Sequence, residues 1–241
     1  MADFTPRFFL NSFQPICGYA SWKALHASDP LVPPFVDGSC RREPDLEHTL
    51  PSISALCRAG KFAPKLRLGD IVAYISKQGC YGDVRQNHYR LVSVLLVKER
   101  FSSHEEAQKW YGNQGLTLPK NCMVQGNEPL TWEQTHQAPN QPQSGPKIDS
   151  VEKWDAEYKK RQSKHENFLA CEALYTELWQ PKVIWPDDLR FVFDGAIPGT
   201  QNPGKMRTVE RLINLVEFAG IGADTVKIWV ERAEKVSKSD S

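Results

Sequence analysis

Within ten residues, from Ser39 to His48, the chain places a hydroxyl, a thiol, two guanidinium groups, three carboxylates and an imidazole: Ser39, Cys40, Arg41, Arg42, Glu43, Asp45, Glu47 and His48. Adjacent cations lower a thiol pKa, so Ser39 and Cys40 beside Arg41 and Arg42 suit a nucleophile, with His48 eight residues on as its base. Glu43 and Asp45 are paired carboxylates that suit acid–base work or Mg²⁺. The arginines suit a phosphate, clamped by bidentate hydrogen bonds. Each reading has a structural counterpart, with Arg41 and Arg42 neutralising Asp37, Asp45 or Glu47. No catalytic residue is assigned; Cys40, Glu43, Asp45 and His48 are the candidates should there be chemistry.

Composition narrows the classes. The 241 residues are 40% hydrophobic and 24% charged, with a net charge of +1. That excludes a disordered chain and a protein that coats nucleic acid indiscriminately. No run approaches the roughly 20 apolar residues of a transmembrane helix, and the start of the chain lacks the pattern of a signal peptide. No membrane partner and a cytoplasmic location are therefore expected. The six cysteines form no C-x-x-C pair, so free thiols are expected and neither a metal nor a cofactor is called for. The common phosphate, dinucleotide, zincin and serine-hydrolase signatures are absent.

The neutrality is a sum over unlike parts. Residues 1–50 carry −2, residues 51–130 carry +5 and residues 131–241 carry −2; the stretch from Arg58 to Arg100 alone carries +6. A basic region on a neutral protein suits a phosphate-bearing partner, because each neutralised phosphate releases counterions. Solvated strand ends are the plainer alternative.

The elements that position these groups follow from apolar pattern and punctuation. Arg7–Phe13 reads as an opening strand, Tyr19–Leu25 as a short helix, and Pro51–Cys57 as a helix whose start Ser52 and Ser54 cap. Leu66–Asp70 is a turn that feeds the strand Ile71–Ser76, and Tyr89–Arg100 is a long apolar strand. A helix runs from Ser102 through Trp110. Gln134–Ser150 reads as a flexible linker or exposed loop. Val151–Trp179 reads as a long helix broken by Pro181, Val183–Phe193 as one or two short strands, Gly195–Gly204 as a turn-rich loop, and Thr208–Ala219 and Ala223–Val236 as closing helices.

This order, with Leu66-Arg-Leu-Gly-Asp-Ile-Val-Ala-Tyr-Ile75 and Tyr89-Arg-Leu-Val-Ser-Val-Leu-Leu-Val97, resembles the PUA-like superfamily that includes the EVE, ASCH and YTH domains. The stretches Pro34–Asp45 and Pro51–Arg58 are similar to the nucleotide-modification-associated domains of that superfamily. The resemblance covers roughly residues 5 to 125. It implies an α+β fold, a PUA-like mixed β-barrel with surrounding helices over 1–133. The rest of the chain, which has no counterpart in that superfamily, reads as a flexible linker or loop at 134–150 and a mainly helical C-terminal extension over 151–241 that packs on the core.

It further implies a nucleic-acid-binding module that recognises a modified or flipped base, in DNA rather than RNA, linked to nucleotide modification or phage-related systems. A base pocket needs aromatic faces and a few polar groups for the base edge. Asn11 and Ser12, which end the first strand as in YTH readers, are candidates for the edge. Trp22 and Tyr74 are candidates for the walls, and Ser39, Arg41, Arg42, Lys61 and Lys77 for the backbone. The YTH tryptophan pattern is incomplete, so methyladenine specificity does not carry over. Two further readings remain: an enzyme that acts on a nucleotide or modified base through the Cys40–His48 loop, and a scaffold that docks a protein through the C-terminal helices.

Overall fold

The computed structural model describes residues 6–56, 60–136, 149–192 and 206–238. It is a mixed α+β protein whose chain divides into two compact units: one comprises residues up to Gln14, Leu66–Glu99 and Cys171 onward, the other Pro15–Lys65 and Arg100–Ala170. Each unit is described by itself.

The first unit is built on a sheet. The opening strand β1 (Phe8–Phe13) pairs in parallel with β3 (Ile71–Ser76), Asn11 opposite Tyr74. β3 pairs antiparallel with β4 (Tyr89–Phe101), Tyr74 opposite Ser93, with a register shift between Tyr74 and Ile75. The turn into β3 follows the expected chemistry. Gly69 adopts φ +79°, a conformation that costs a glycine little. The Asp70 carboxylate accepts from the Arg67 amide at 2.7 Å and from the Arg7 guanidinium at 2.6 and 2.9 Å.

Side chains alternate across these strands. Phe8, Leu10, Ile71, Ala73, Val94 and Leu96 share one face and form the core with three helices. These are α4 (Pro186–Val192), α5 (Val209–Phe218) and α6 (Ala223–Lys238), which contribute Leu189, Val192, Leu212, Leu215, Val216, Val226, Trp229 and Ala233. Their three- and four-residue spacing makes the apolar stripe that a helix needs to cover a sheet. The opposite face carries Asn11, Tyr74 and Ser93 in one row across three strands, all buried.

The second unit has little sheet. It holds α1 (Trp22–Ser28), α2 (His104–Asn113), α3 (Val151–Gln162) and the short strand β2 (Ser52–Ser54), which pairs antiparallel with the first residues of β5 (Phe168–Thr176). Irregular chain makes up the rest, around a small core of Phe101, Ala107, Tyr111, Cys122, Val124, Phe168 and Ala170.

Three expectations are corrected. Residues 52–54 are a strand and not a helix, so Ser52 and Ser54 cap nothing: their hydroxyls bond Asn121 Oδ1 and the Glu43 carboxylate, both at 2.5 Å. The expected helix over 151–179 ends at Gln162 and gives way to β5. Its apolar face lapses across the polar run Lys159–Asn167, and beyond it Phe168–Cys171 are buried one after another, as in a strand covered on both faces. Residues 182–184 form a strand, β6, but Pro186 then opens α4 at the first helical position, where its missing N–H costs nothing. The C-terminal part of the chain thus supplies strands as well as helices. Most of the Gln134–Ser150 segment and the Gly195–Gly204 loop lie outside the described residues.

Candidate functional site

The chemistry-bearing loop of the sequence, residues 37–48, belongs to the second unit and is tightly built. Asp37 Oδ1 accepts from the amides of Ser39 (2.9 Å) and Glu43 (3.1 Å), a side-chain turn that curls the chain back. Arg42 sits at φ 45°, a conformation that is strained for a residue with a Cβ and persists only where the surroundings enforce it. Here they do. The Arg42 guanidinium donates to Glu47 (2.9 Å) and to the carbonyls of Asp37, Ser39 and Gln134.

Arg41 is fully buried and donates to Asp155 at 2.6 Å and to the carbonyls of Lys120 and Asn127. Burial pushes the Asp155 carboxyl up, but hydrogen bonds from Arg41 and Lys159 outweigh it and hold the group below its ordinary value. Asp45 accepts the amides of Glu47 and Lys120, the latter at 2.6 Å. The two arginines offered by the sequence as phosphate clamps therefore spend their donors on the protein's own backbone and acids.

Beside this loop lies an open cavity of about 790 Å³. The loop contributes Arg42, Asp45, Glu47 and His48; the facing chain contributes Leu31, Leu118, Lys120, Asn127, Glu128, Leu130 and Gln134. His48 is fixed at both ring nitrogens: Nε2 lies 2.9 Å from the Thr117 carbonyl, and Nδ1 lies 2.9 Å from the Leu50 carbonyl and 3.0 Å from the Leu50 amide. Leu31 is 82% exposed on the lining. The cavity thus joins an apolar strip of Leu31, Val32, Leu118 and Leu130 to a wall of mostly polar and charged side chains, a concave surface with convergent polar groups that suits a small ligand. Its charged lining is richer in carboxylates (Asp29, Asp45, Glu47, Glu128) than in cations, which suits ligand donors better than phosphate.

Cys40 and Glu43 point elsewhere. The Cys40 thiol is buried and pushed up to about 12 by that burial and by nearby Asp155, the reverse of what a thiolate nucleophile needs. The Glu43 carboxyl is pushed up to about 8 by burial, against hydrogen bonds from Ser54 and Asn121. Among the described residues no three His, Cys, Asp or Glu side chains gather to hold a metal ion. Ser39 Oγ is buried close to the Tyr158 hydroxyl, whose pKa burial raises. Nearby, His136, whose amide donates to the Gly38 carbonyl, stacks on Tyr19 (4.0 Å between centroids) and meets Trp154 edge-on (5.3 Å).

The remaining candidates fall into two sets. Trp22 stacks on His26 at 4.9 Å, and Lys61 is exposed, both in the second unit. Asn11, Ser12, Tyr74 and Lys77 all lie at the β1/β3 pair of the first unit: Asn11 and Tyr74 are register partners, Tyr74 meets Phe13 edge-on, and the Lys77 amide donates to the Phe13 carbonyl at 2.8 Å. Asn11, Ser12 and Tyr74 are buried, whereas Lys77 is exposed. The basic stretch leaves Lys61, Lys65, Arg67, Lys77, Arg85 and Arg100 exposed.

The cavity's far wall, from Thr117 to Leu130, and the Arg41 partner Asp155 escape sequence reasoning. Asp155 lies 114 residues from Arg41 on a helix face with no marker of its own. The signal for the far wall is slight: a polar run with Pro119, Gly126 and Pro129. The chain matches no family model, no curated protein and no solved structure.

Proposed function

We propose that the protein is a nucleic-acid-binding module that takes a modified or flipped base, in DNA rather than RNA, into the cavity beside residues 37–48. The observation that carries this reading is the cavity itself: an over-determined loop, strained at Arg42, presents Asp45, Glu47 and His48 opposite Leu31, Leu118 and Leu130. Carboxylates accept from the exocyclic amino groups that a flipped base exposes, and apolar side chains cover its faces. The resemblance to PUA-like domains and the exposed cations of the basic stretch support the same reading. Phosphate contacts would supply affinity and the cavity the choice of base.

The test is the binding of the full chain to matched duplexes, plain and modified, titrated with salt. The reading expects an affinity that falls as salt rises, a preference for a modified duplex, and loss of that preference in Leu31→Asp, whose exposed position leaves the fold intact. No binding at micromolar protein and low salt overturns it.

A further inference from the structure

The cavity accounts for a base but not for the backbone that carries it, since Arg41 and Arg42 are occupied. Cations and aromatic surface meet instead in the first unit, at the hairpin between β3 and β4. Its inner end is pinned by mutual backbone bonds between Gly79 and His88, both at 3.0 Å. Arg90 Nε donates to His88 Nε2 at 2.8 Å, so the His88 proton sits on Nδ1, where it meets the Gln86 carbonyl at 2.8 Å. Burial lowers the His88 pKa, consistent with that neutral ring. Arg90 also donates to the Pro181 carbonyl at 2.8 Å, which brings the start of β6 to the hairpin. Lys182 pairs with Leu91, and Trp185 follows directly after β6, its ring 5.9 Å from that of His88.

A fixed histidine thus backs an indole that is 40% exposed, and Trp179, three residues before Lys182, is 47% exposed. Lys77 and Arg85 on the hairpin and Lys182 on β6 are exposed. Carboxylates lie here too, Glu177 accepting the amides of Trp179 and Gln180 and Asp188 that of Trp185. Exposed indoles and cations are the two parts of a single-strand platform: bases stack on the rings, and ammonium and guanidinium groups meet the phosphates.

We infer that the hairpin of residues 77–90, with Lys182 and Trp185, is a second nucleic-acid contact, a platform for unpaired nucleotides that reads no sequence. This rests on the reading of the protein as a nucleic-acid-binding module and names where an unpaired strand is held. The occupant is a polyanion with planar bases: charge alone would suit an anionic membrane, but the indole backed by a fixed imidazole favours a ring that stacks.

The experiment measures the affinity of the full chain for a short single-stranded oligonucleotide and for the same strand with abasic sites, across salt. The triple variant Lys77→Ala/Arg85→Ala/Lys182→Ala should flatten the slope of log affinity against log salt by about 2. Trp185→Ala should weaken the intact strand about tenfold or more and the abasic strand little, and Trp185→Phe should restore most of the loss. Slopes and affinities unchanged in these variants, with modified-duplex preference intact, overturn the platform and leave the base cavity standing. An unchanged preference in Leu31→Asp with the platform effects intact overturns the base cavity and leaves the platform standing. Equal weakening of intact and abasic strands by Trp185→Ala, or binding to anionic vesicles but to no oligonucleotide, also overturns the platform.

Discussion

The two units are held together by different physics. The first is a sheet covered by three amphipathic helices, with an aliphatic core; Asp70 is buried against Arg7, and other ion pairs, such as Arg190–Asp187 and Lys227–Asp224, lie on its surface. The second places its charges inside: Arg41 at 0% and Arg42 at 2% exposure organise loops that meet strands only through isolated bridges such as Asp45–Ser52. An aliphatic core tolerates exchange among apolar residues, whereas a buried guanidinium demands its own partners. The second unit is therefore the one whose shape is specified by polar side chains, and the cavity sits against that specification.

The sharpest way to break the contrast is to unpair a buried charge. Asp155→Ala leaves Arg41 in the interior without its carboxylate and should cost about 3–5 kcal/mol in denaturant unfolding. A loss below 1 kcal/mol would mean that the loop is not held by this pair. In the first unit, Leu215→Ala on α5 should cost about 3 kcal/mol through its cavity, and Leu215→Met under about 1.5 kcal/mol. No such conservative exchange is expected to succeed at Arg41: Arg41→Lys cannot reach Asp155 and both carbonyls with its single ammonium.

Titration sharpens the comparison further. The Glu43 pKa is raised from 4.5 to about 8, so the folded chain holds a proton that the unfolded chain has lost across that window. Its contribution to stability is full below about pH 4.5 and declines as pH rises to about 8. His104 behaves oppositely. Burial lowers its pKa to about 4, so the unfolded chain takes up a proton first and stability falls as pH drops from about 6.5 to about 4. Stability of wild type minus Glu43→Gln should fall with rising pH between 4.5 and 8; a flat difference contradicts the buried acid. The smallest effects are at helix starts. The Ser103 hydroxyl accepts from the Glu106 amide, and Thr208 from that of Arg211. Ser103→Ala and Thr208→Ala should each cost about 1 kcal/mol, and equal losses would show that caps, unlike cores, do not distinguish the units.

What was legible in the sequence follows the same division. β1, β3, β4, α5 and α6 were readable because period-2 and period-3.6 apolar patterns face one aliphatic core. β2 was not, because Ser52-Ile53-Ser54 has a single apolar residue and owes its pairing to Phe168–Ala170, more than a hundred residues away. β5 was masked by the helical spacing of Val151, Trp154 and Tyr158 running into it. At the site, the 37–48 loop stood out by residue type, and its members Arg42, Asp45 and His48 do share the cavity. The direction of Cys40 and Glu43 into the interior was invisible, since it depends on Asp155, Ser54 and Asn121, partners distant in the chain.

The central claim is that a base enters the cavity beside residues 37–48. Its most direct test is photocrosslinking of an oligonucleotide with one photoreactive modified base, followed by mass-spectrometric mapping of the attached residue. The account predicts attachment to Leu31, His48, Leu118 or Leu130, suppressed in Leu31→Asp. Attachment only to residues outside that lining, or at equal yield in the variant, would contradict it.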